Sequence, residues 1–342
     1  MKIAHHDTTQ KVFIIAELSA NHNQDFELAK KGVRIAYEAG CDAIKLQTYT
    51  PDSLTLDIKD EKFKAGDLWK DEYLHDLYKR ACMPYAWHKP LKAYADELGI
   101  ILFSSPFDKE AVELLESMDV PAYKIASFEI TDIPLIKHAA SKQKPMIIST
   151  GVANIEDIKL ALFTCKSVGN DKIVLLKCTS AYPAKPESMN LLTLGDMKNR
   201  FGVEVGLSDH TMGHDAVIAS IALGARVIEK HFTPDASIST PDSAFSLSPD
   251  ELTKMVAHVR NVEKLLGSVE YNDKSKAYAR SLYASKDIQK GEAFSADNIK
   301  SIRPGDGLHP KYYEEILGKR ATQTIKAGTP LNASLVEGLL FQ

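Results

Sequence analysis

The first 267 residues repeat one unit: a short β-branched, apolar run ends in polar residues, and a stretch of helical periodicity follows. The runs are Val12–Glu17, Asp42–Thr48, Ile101–Ser105, Tyr123–Ser127, Pro145–Thr150, Ile173–Thr179, Glu204–His210 and Arg226–Phe232. Several helical stretches carry their own punctuation. Asp25 is placed to cap a helix that stops at Gly40, and Asn154 one that stops near Gly169. Ser248-Pro249-Asp250-Glu251 is a capping box with proline at the first helical position, and that helix closes at Gly267. Eight such units in series predict an α/β fold, a closed parallel (β/α)8 TIM barrel. An open doubly wound sheet would have fewer strands and a glycine-rich phosphate loop after one of them, and the sequence has no such loop.

Past Gly267 the character changes. Residues 268–282 are polar and mixed and are expected to be a linker, leaving residues 283–342 as a small, mostly β domain. That domain contains an internal echo. Asp287-Ile288-Gln289-Lys290-Gly291, continuing to Ile299, parallels Thr324-Ile325-Lys326-Ala327-Gly328, continuing to Val336. It is too small to hold a substrate pocket comfortably, so the chemistry is expected in residues 1–267.

Bulk properties remove other classes. With 342 residues, 44% of them hydrophobic, the chain can bury one large core and a smaller one. A formal net charge of −4 and the lack of a basic stripe interleaved with aromatics argue against a nucleic-acid partner. No run reaches the about 18 apolar residues of a membrane span, and Met1–Gln10 does not read as a signal peptide. Cys41, Cys82, Cys165 and Cys178 lie far apart with no metal-type spacing, as expected of free thiols in a reducing cytoplasm.

In a TIM barrel the reacting groups sit at the C-terminal ends of the strands. Alternation puts Lys45 with Gln47, Ser208 with His210, and Glu229 with His231 on one face of their strands. If those faces point inward, they ring one mouth. His210 and His231 end neighbouring strands and can share a divalent metal. With no cysteine or third histidine beside them, such a site stays open to water and a substrate oxygen, which suits a Lewis acid; the alternative is a pair of hydrogen-bonded core histidines. Lys45 and Lys124, with the hydroxyls of Ser105, Ser127, Ser149 and Ser208, suit a small phosphorylated anion. Each serine alone is equally a helix cap, but unpaired lysines inside a barrel are costly. Glu17 and Glu229 are available for proton transfer or for gripping hydroxyls, or else for salt bridges to Lys45 or Lys124. Lys177 is set aside, and Lys230 and Asp209 are turned away from the mouth toward structural roles. Pro51–Pro84 and Thr233–Leu247, the latter with Asp242, are candidate lids.

Several of these runs resemble the sialic acid (nonulosonic acid) synthase family. They are Ile15-Ala16-Glu17 through Asn21-His22-Asn23, Lys45-Leu46-Gln47-Thr48, Tyr123-Lys124-Ile125-Ala126-Ser127, Leu207-Ser208-Asp209-His210-Thr211 and Glu229-Lys230-His231-Phe232. The tail, with Ser301-Ile302-Arg303-Pro304-Gly305 and Leu308-His309-Pro310, is similar to that family's antifreeze-like (SAF) domain. Within the family, Ala126-Ser127-Phe128-Glu129-Ile130-Thr131-Asp132 and Lys177-Cys178-Thr179-Ser180-Ala181-Tyr182-Pro183 are most similar to the branch that makes pseudaminic acid. Ser180 stands where the neuraminic acid branch carries Asn, which argues against N-acetylmannosamine as substrate.

The resemblance implies an enzyme that joins phosphoenolpyruvate to an amino-sugar aldehyde. It implies a divalent metal, Mn with Mg or Co as alternatives, held by His210 and His231. Phosphoenolpyruvate falls to Lys45, Lys124, Ser127, Ser149 and Ser208, with Ser105 and Ser180 counted in the same set. Glu17 takes the proton-transfer role, and Gln47, Tyr182, Glu229 and Asp242 contact the sugar. The family pattern is a homodimer in which the small domain of one chain covers the partner's barrel, with Arg303 reaching the substrate. The near alternatives are neuraminate or legionaminate synthesis. The remote ones are a non-catalytic sugar-binding protein and another barrel enzyme of phosphoenolpyruvate.

Overall fold

Each of the eight apolar runs forms a strand whose ends lie within two residues of those expected. A short hairpin, β1 (Lys2–Ile3) and β2 (His6–Asp7), comes first. The barrel strands are β3 (Phe13–Glu17), β4 (Ala43–Thr48), β5 (Ile101–Pro106), β6 (Tyr123–Ile125), β7 (Met146–Ser149), β8 (Ile173–Cys178), β9 (Glu204–Asp209) and β10 (Val227–His231). They are parallel, and β10 pairs with β3 to close the cylinder. Ten helices accompany them: α1 (Phe26–Glu38), α2 (Pro51–Leu54), α3 (Leu74–Ala81), α4 (Tyr85–Leu98), α5 (Lys109–Ser117), α6 (Ile133–Ser141), α7 (Ile155–Ser167), α8 (Thr193–Phe201), α9 (Asp215–Ala222) and α10 (Pro249–Leu266). The computed structural model describes residues 1–271 and 276–339, in two units, Met1–Gly267 and Ser268–Gln342.

Local chemistry sets the helix boundaries. The Asp25 side chain accepts from the Glu27 and Leu28 backbone N–H groups at the start of α1. Asn154 and Ser248 head full capping boxes on α7 and α10. Gly40 and Gly169 follow α1 and α7 with φ near +80°, a backbone state that costs other residues a clash at Cβ. Inside the barrel, Phe13 and Phe103 stack with centroids 6.4 Å apart, a plug that keeps the lower half dry. The β1–β2 hairpin closes the opposite end from the strand C-termini. Thr8 Oγ1 donates to Glu204 at the start of β9, and Arg226 Nε donates to Thr8 O at 2.8 Å. The sequence pattern gives no warning of this hairpin, because two-residue strands show no periodicity.

Between β4 and α4 the chain makes a long excursion that carries α2, α3 and short 3₁₀ turns at Glu61–Phe63 and Asp67–Trp69. In the second unit, β11 (Ser281–Ala284) and β12 (Ile299–Ile302) pair antiparallel around a core that includes Leu282, Phe294 and Leu331. The two halves of the sequence echo meet there, Ile288 bridging to Ile325 with N–H···O distances of 2.8 Å in both directions. Regular strand is sparser than a mostly β domain suggests, because Pro and Gly cut the other segments to single bridges. The linker expected over 268–282 lies at 272–275 outside the described residues.

Candidate active site

The inward faces of the strands converge on one cavity of about 430 Å³ at their C-terminal ends. Its floor is a charge lattice. Lys45 Nζ lies 2.6 Å from Glu17 Oε2 and 3.8 Å from Glu229 Oε2, and it donates to Ser105 Oγ at 3.1 Å. Lys124 Nζ lies 3.6 Å from Glu229 Oε1 and donates to Ser149 Oγ at 2.6 Å. Ser208 Oγ donates to Glu229 at 3.1 Å and Gln47 Nε2 to Glu17 at 2.9 Å. All four charged side chains are buried. Salt bridges from Glu17 and Glu229 to the lysines are therefore present, and they are built into the cavity itself.

Burial raises the Glu17 carboxyl to about 7, Lys45 opposing and Glu229 reinforcing the rise. Burial would raise Glu229 as well, but Lys124 and Lys45 hold it below the ordinary value. Two neighbouring carboxyls are thereby pushed apart, one proton-holding near neutrality and one charged. With Glu17 protonated, the Lys45 ammonium, held charged by its carboxylate neighbours, and Lys124, whose charge burial disfavours, face one carboxylate, an arrangement that an arriving anion would complete.

The histidines stand at the rim, ring centroids 5.2 Å apart. His210 Nδ1 is 3.0 Å from Thr179 O. A carbonyl only accepts, so Nδ1 carries a hydrogen, and Nε2 offers a lone pair in the neutral ring. His231 Nδ1 is buried with no hydrogen-bond partner and lies 4.0 Å from Asp242 Oδ2. Burial, helped by the nearby lysines, holds His231 well below the ordinary imidazole range and keeps its ring neutral. Two lone pairs beside a buried carboxylate fit a divalent cation. The described residues group one carboxylate–imidazole triad, Asp57, His75 and Asp76, on the excursion. Lys59 Nζ already sits 3.0 Å from Asp57 and 2.6 Å from Asp76, so one ammonium is shared between both carboxylates of that surface cluster.

 Of the fifteen site residues nominated from the sequence, thirteen line the cavity, Ser105 stands outside its lining, and Arg303 belongs to the second unit. Ser105 is buried behind the floor, where it supports Lys45. Arg303 is exposed on the second unit. Lys230 and Asp209, turned outward by alternation, form a fully buried ion pair at 2.7 Å between the two histidine-bearing strands.

Glu129 carried no role in the sequence reading. It ends the turn after β6, lines the cavity, and has Oε2 buried without a partner; burial raises its carboxyl to about 7. No spacing rule points to it, because a turn and not a strand aims it. Ser180 Oγ is likewise buried and unpartnered. Beside it, a Cβ on Gly151 would stand 2.2 Å from Ser180 Oγ and 2.8 Å from Ser127 Oγ. Gly151→Ala is expected to raise the KM for the anionic substrate at least about tenfold, with about 1–3 kcal/mol of overpacking cost. Steady-state kinetics and thermal unfolding check both.

A TIM barrel whose strand ends gather lysines, serines, paired carboxylates and two rim histidines into one cavity defines a class, barrel enzymes with a polar pocket at the C-terminal mouth. The comparisons give the family. Residues 32–271 match the NeuB family and residues 279–337 the SAF domain, and the chain belongs to the NeuB family. It is 50% identical over 340 residues to the pseudaminic acid synthase of Campylobacter jejuni, covering 98% of this chain and 99% of that one. It is 48% identical to the pseudaminic acid synthase of Helicobacter pylori, covering 95% and 97%. Among solved structures, the spore coat polysaccharide biosynthesis protein SpsE of Bacillus subtilis matches with TM-score 0.67 and 35% identity, over 100% of this chain and 99% of that one.

Proposed function

We propose that this chain condenses phosphoenolpyruvate with the open-chain aldehyde of 2,4-diacetamido-2,4,6-trideoxy-β-L-altrose and water, giving pseudaminic acid and inorganic phosphate. The observation that carries the reading is the buried floor, where two lysines and two carboxyls meet beneath two histidines. The half-identical pseudaminic acid synthases support the choice of sugar.

Lys45 and Lys124 hold the phosphate and carboxylate of phosphoenolpyruvate, with donors from Ser127, Ser149, Ser180 and Ser208. Protonated Glu17 removes one negative charge from the floor, so anion binding near neutral pH takes up a proton. The enol carbon attacks the aldehyde carbon, and the aldehyde oxygen takes the proton held on Glu17 and becomes a hydroxyl. Positive charge then develops at the carbon bearing phosphate, and Glu229 faces it. Water adds there, the Glu17 carboxylate so formed takes one of its protons, and the C–O bond to phosphate breaks, the remaining hydroxyl proton leaving with inorganic phosphate as the keto group forms. Gln47, Tyr182, Glu229 and Asp242 hold the sugar. His210 and His231 would hold a divalent cation, Mn with Mg or Co as alternatives, which would supply Lewis-acid chemistry beside the aldehyde. The chain acts as a cytoplasmic homodimer in which Arg303 of one subunit serves the partner's barrel; four unpaired cysteines fit that compartment. Among the described residues no helix is long and apolar enough to cross a membrane.

The test is phosphate release from phosphoenolpyruvate with Mn and, separately, the altrose derivative, N-acetylmannosamine and the legionaminic precursor. Release with the altrose sugar alone is expected. Release with another sugar keeps the reaction and corrects the branch, and no release with any overturns the reading. His210→Ala is expected to abolish release and to weaken Mn binding in calorimetry. Full activity of that variant in chelator-treated buffer would remove the metal from the scheme.

A further inference from the structure

The cavity has two unlike halves. The floor is charged, but the side toward the excursion is walled by Tyr49, Leu54, Leu74, Leu77, Phe107 and Trp69. Residues 51–84 are rich in Asp, Glu, Lys and Arg, yet none of their described charged side chains lines the cavity. The apolar wall is also tied down. Trp69 Nε1 donates to Pro241 O at 3.1 Å, across the mouth on the loop after β10. Its ring packs on Tyr182 at 5.9 Å and on Phe245 at 6.5 Å. Tyr49 sets the back of the wall, edge-on to Phe107 at 5.2 Å and to Tyr78 at 5.9 Å.

We infer that this apolar lobe, latched by Trp69, reads the far end of the sugar and selects a deoxygenated, acylated tail over a polyhydroxylated one. The inference rests on the proposed condensation and names the residues that set its specificity. With the aldehyde near His210 and His231 and the phosphoenolpyruvate on the lysine floor, the sugar's remaining carbons have this lobe as their apolar surface. A methyl group and acetamido methyls bury there at no hydrogen-bonding cost. A hydroxyl placed there gives up water and meets few partners, which penalises it. Discrimination of one such group in an apolar pocket is worth about 10–200-fold in kcat/KM.

The experiment compares kcat/KM for the 2,4-diacetamido-2,4,6-trideoxy sugar and for its counterpart carrying a 6-hydroxyl. The wild type is expected to favour the deoxy sugar at least about tenfold. Leu74→Asn and Leu54→Asn each put an amide into the wall and are expected to shrink that ratio several-fold. The KM for phosphoenolpyruvate, whose site lies on the strand floor, serves as the control for folding in both variants. An unchanged ratio in both variants, with turnover of the deoxy sugar intact, overturns the lobe alone. A wild type that releases phosphate with neither sugar overturns the condensation and the lobe with it.

Discussion

Lys45→Met is expected to lower phosphate release by at least about 10³-fold and to destabilise the barrel by about 3–5 kcal/mol. Lys45 is 3% exposed and sits between Glu17 and Glu229 at 2.6 and 3.8 Å. Removing the ammonium leaves two carboxyls facing each other in a dry site, where only one can stay charged. The activity loss has a separate cause, since the phosphorylated substrate loses one of its two cations. The double variant Lys45→Met/Glu17→Gln separates the two effects. It replaces the pair with neutral groups of similar volume, so much of the lost stability is expected to return while activity stays absent. Chemical denaturation and phosphate release measure the two quantities. A Lys45→Met enzyme within tenfold of wild type would remove Lys45 from the anion cradle.

The same residues explain how much of the molecule was legible beforehand. Strand alternation has period two, so once one residue of a strand faces inward its neighbours follow. That is why Lys45 with Gln47 and Glu229 with His231 arrive in one cavity, and why Lys230 and Asp209 meet outside it. Helix ends were legible because Asp25, Asn154 and Ser248 act on backbone groups two or three residues away. The sequence pattern was silent where long-range contacts decide. Trp69 reaches its place through Pro241, and Glu129 through a turn after β6. Ser105 looked like a cavity donor, but it is buried behind the floor, against Lys45.

Glu129→Gln is expected to lower kcat about 10²–10⁴-fold while leaving the KM for phosphoenolpyruvate near its wild-type value. Glu129 Oε2 is buried at the cavity wall without a hydrogen-bond partner, and burial raises the carboxyl from 4.5 to about 7. A group half-protonated near neutrality can deliver or take a proton on the sugar side, as Glu17 can on the floor. The sign of its effect on stability follows from linkage. The folded chain holds this proton more tightly than the unfolded chain, so its contribution is full below about 4.5 and is lost as pH rises to about 7. Glu129's share of the stability therefore falls across that window, and the difference between wild-type and Glu129→Gln unfolding midpoints measures it. Glu17, raised to about 7 by the same burial, contributes in the same direction, so Glu129→Gln removes only part of the fall. Activity that depends on protonated Glu129 declines through about pH 7, and in the glutamine variant that limb disappears with the activity. A variant with wild-type kcat and an unaltered pH profile would leave Glu129 as a wall residue and return the proton chemistry to Glu17 alone.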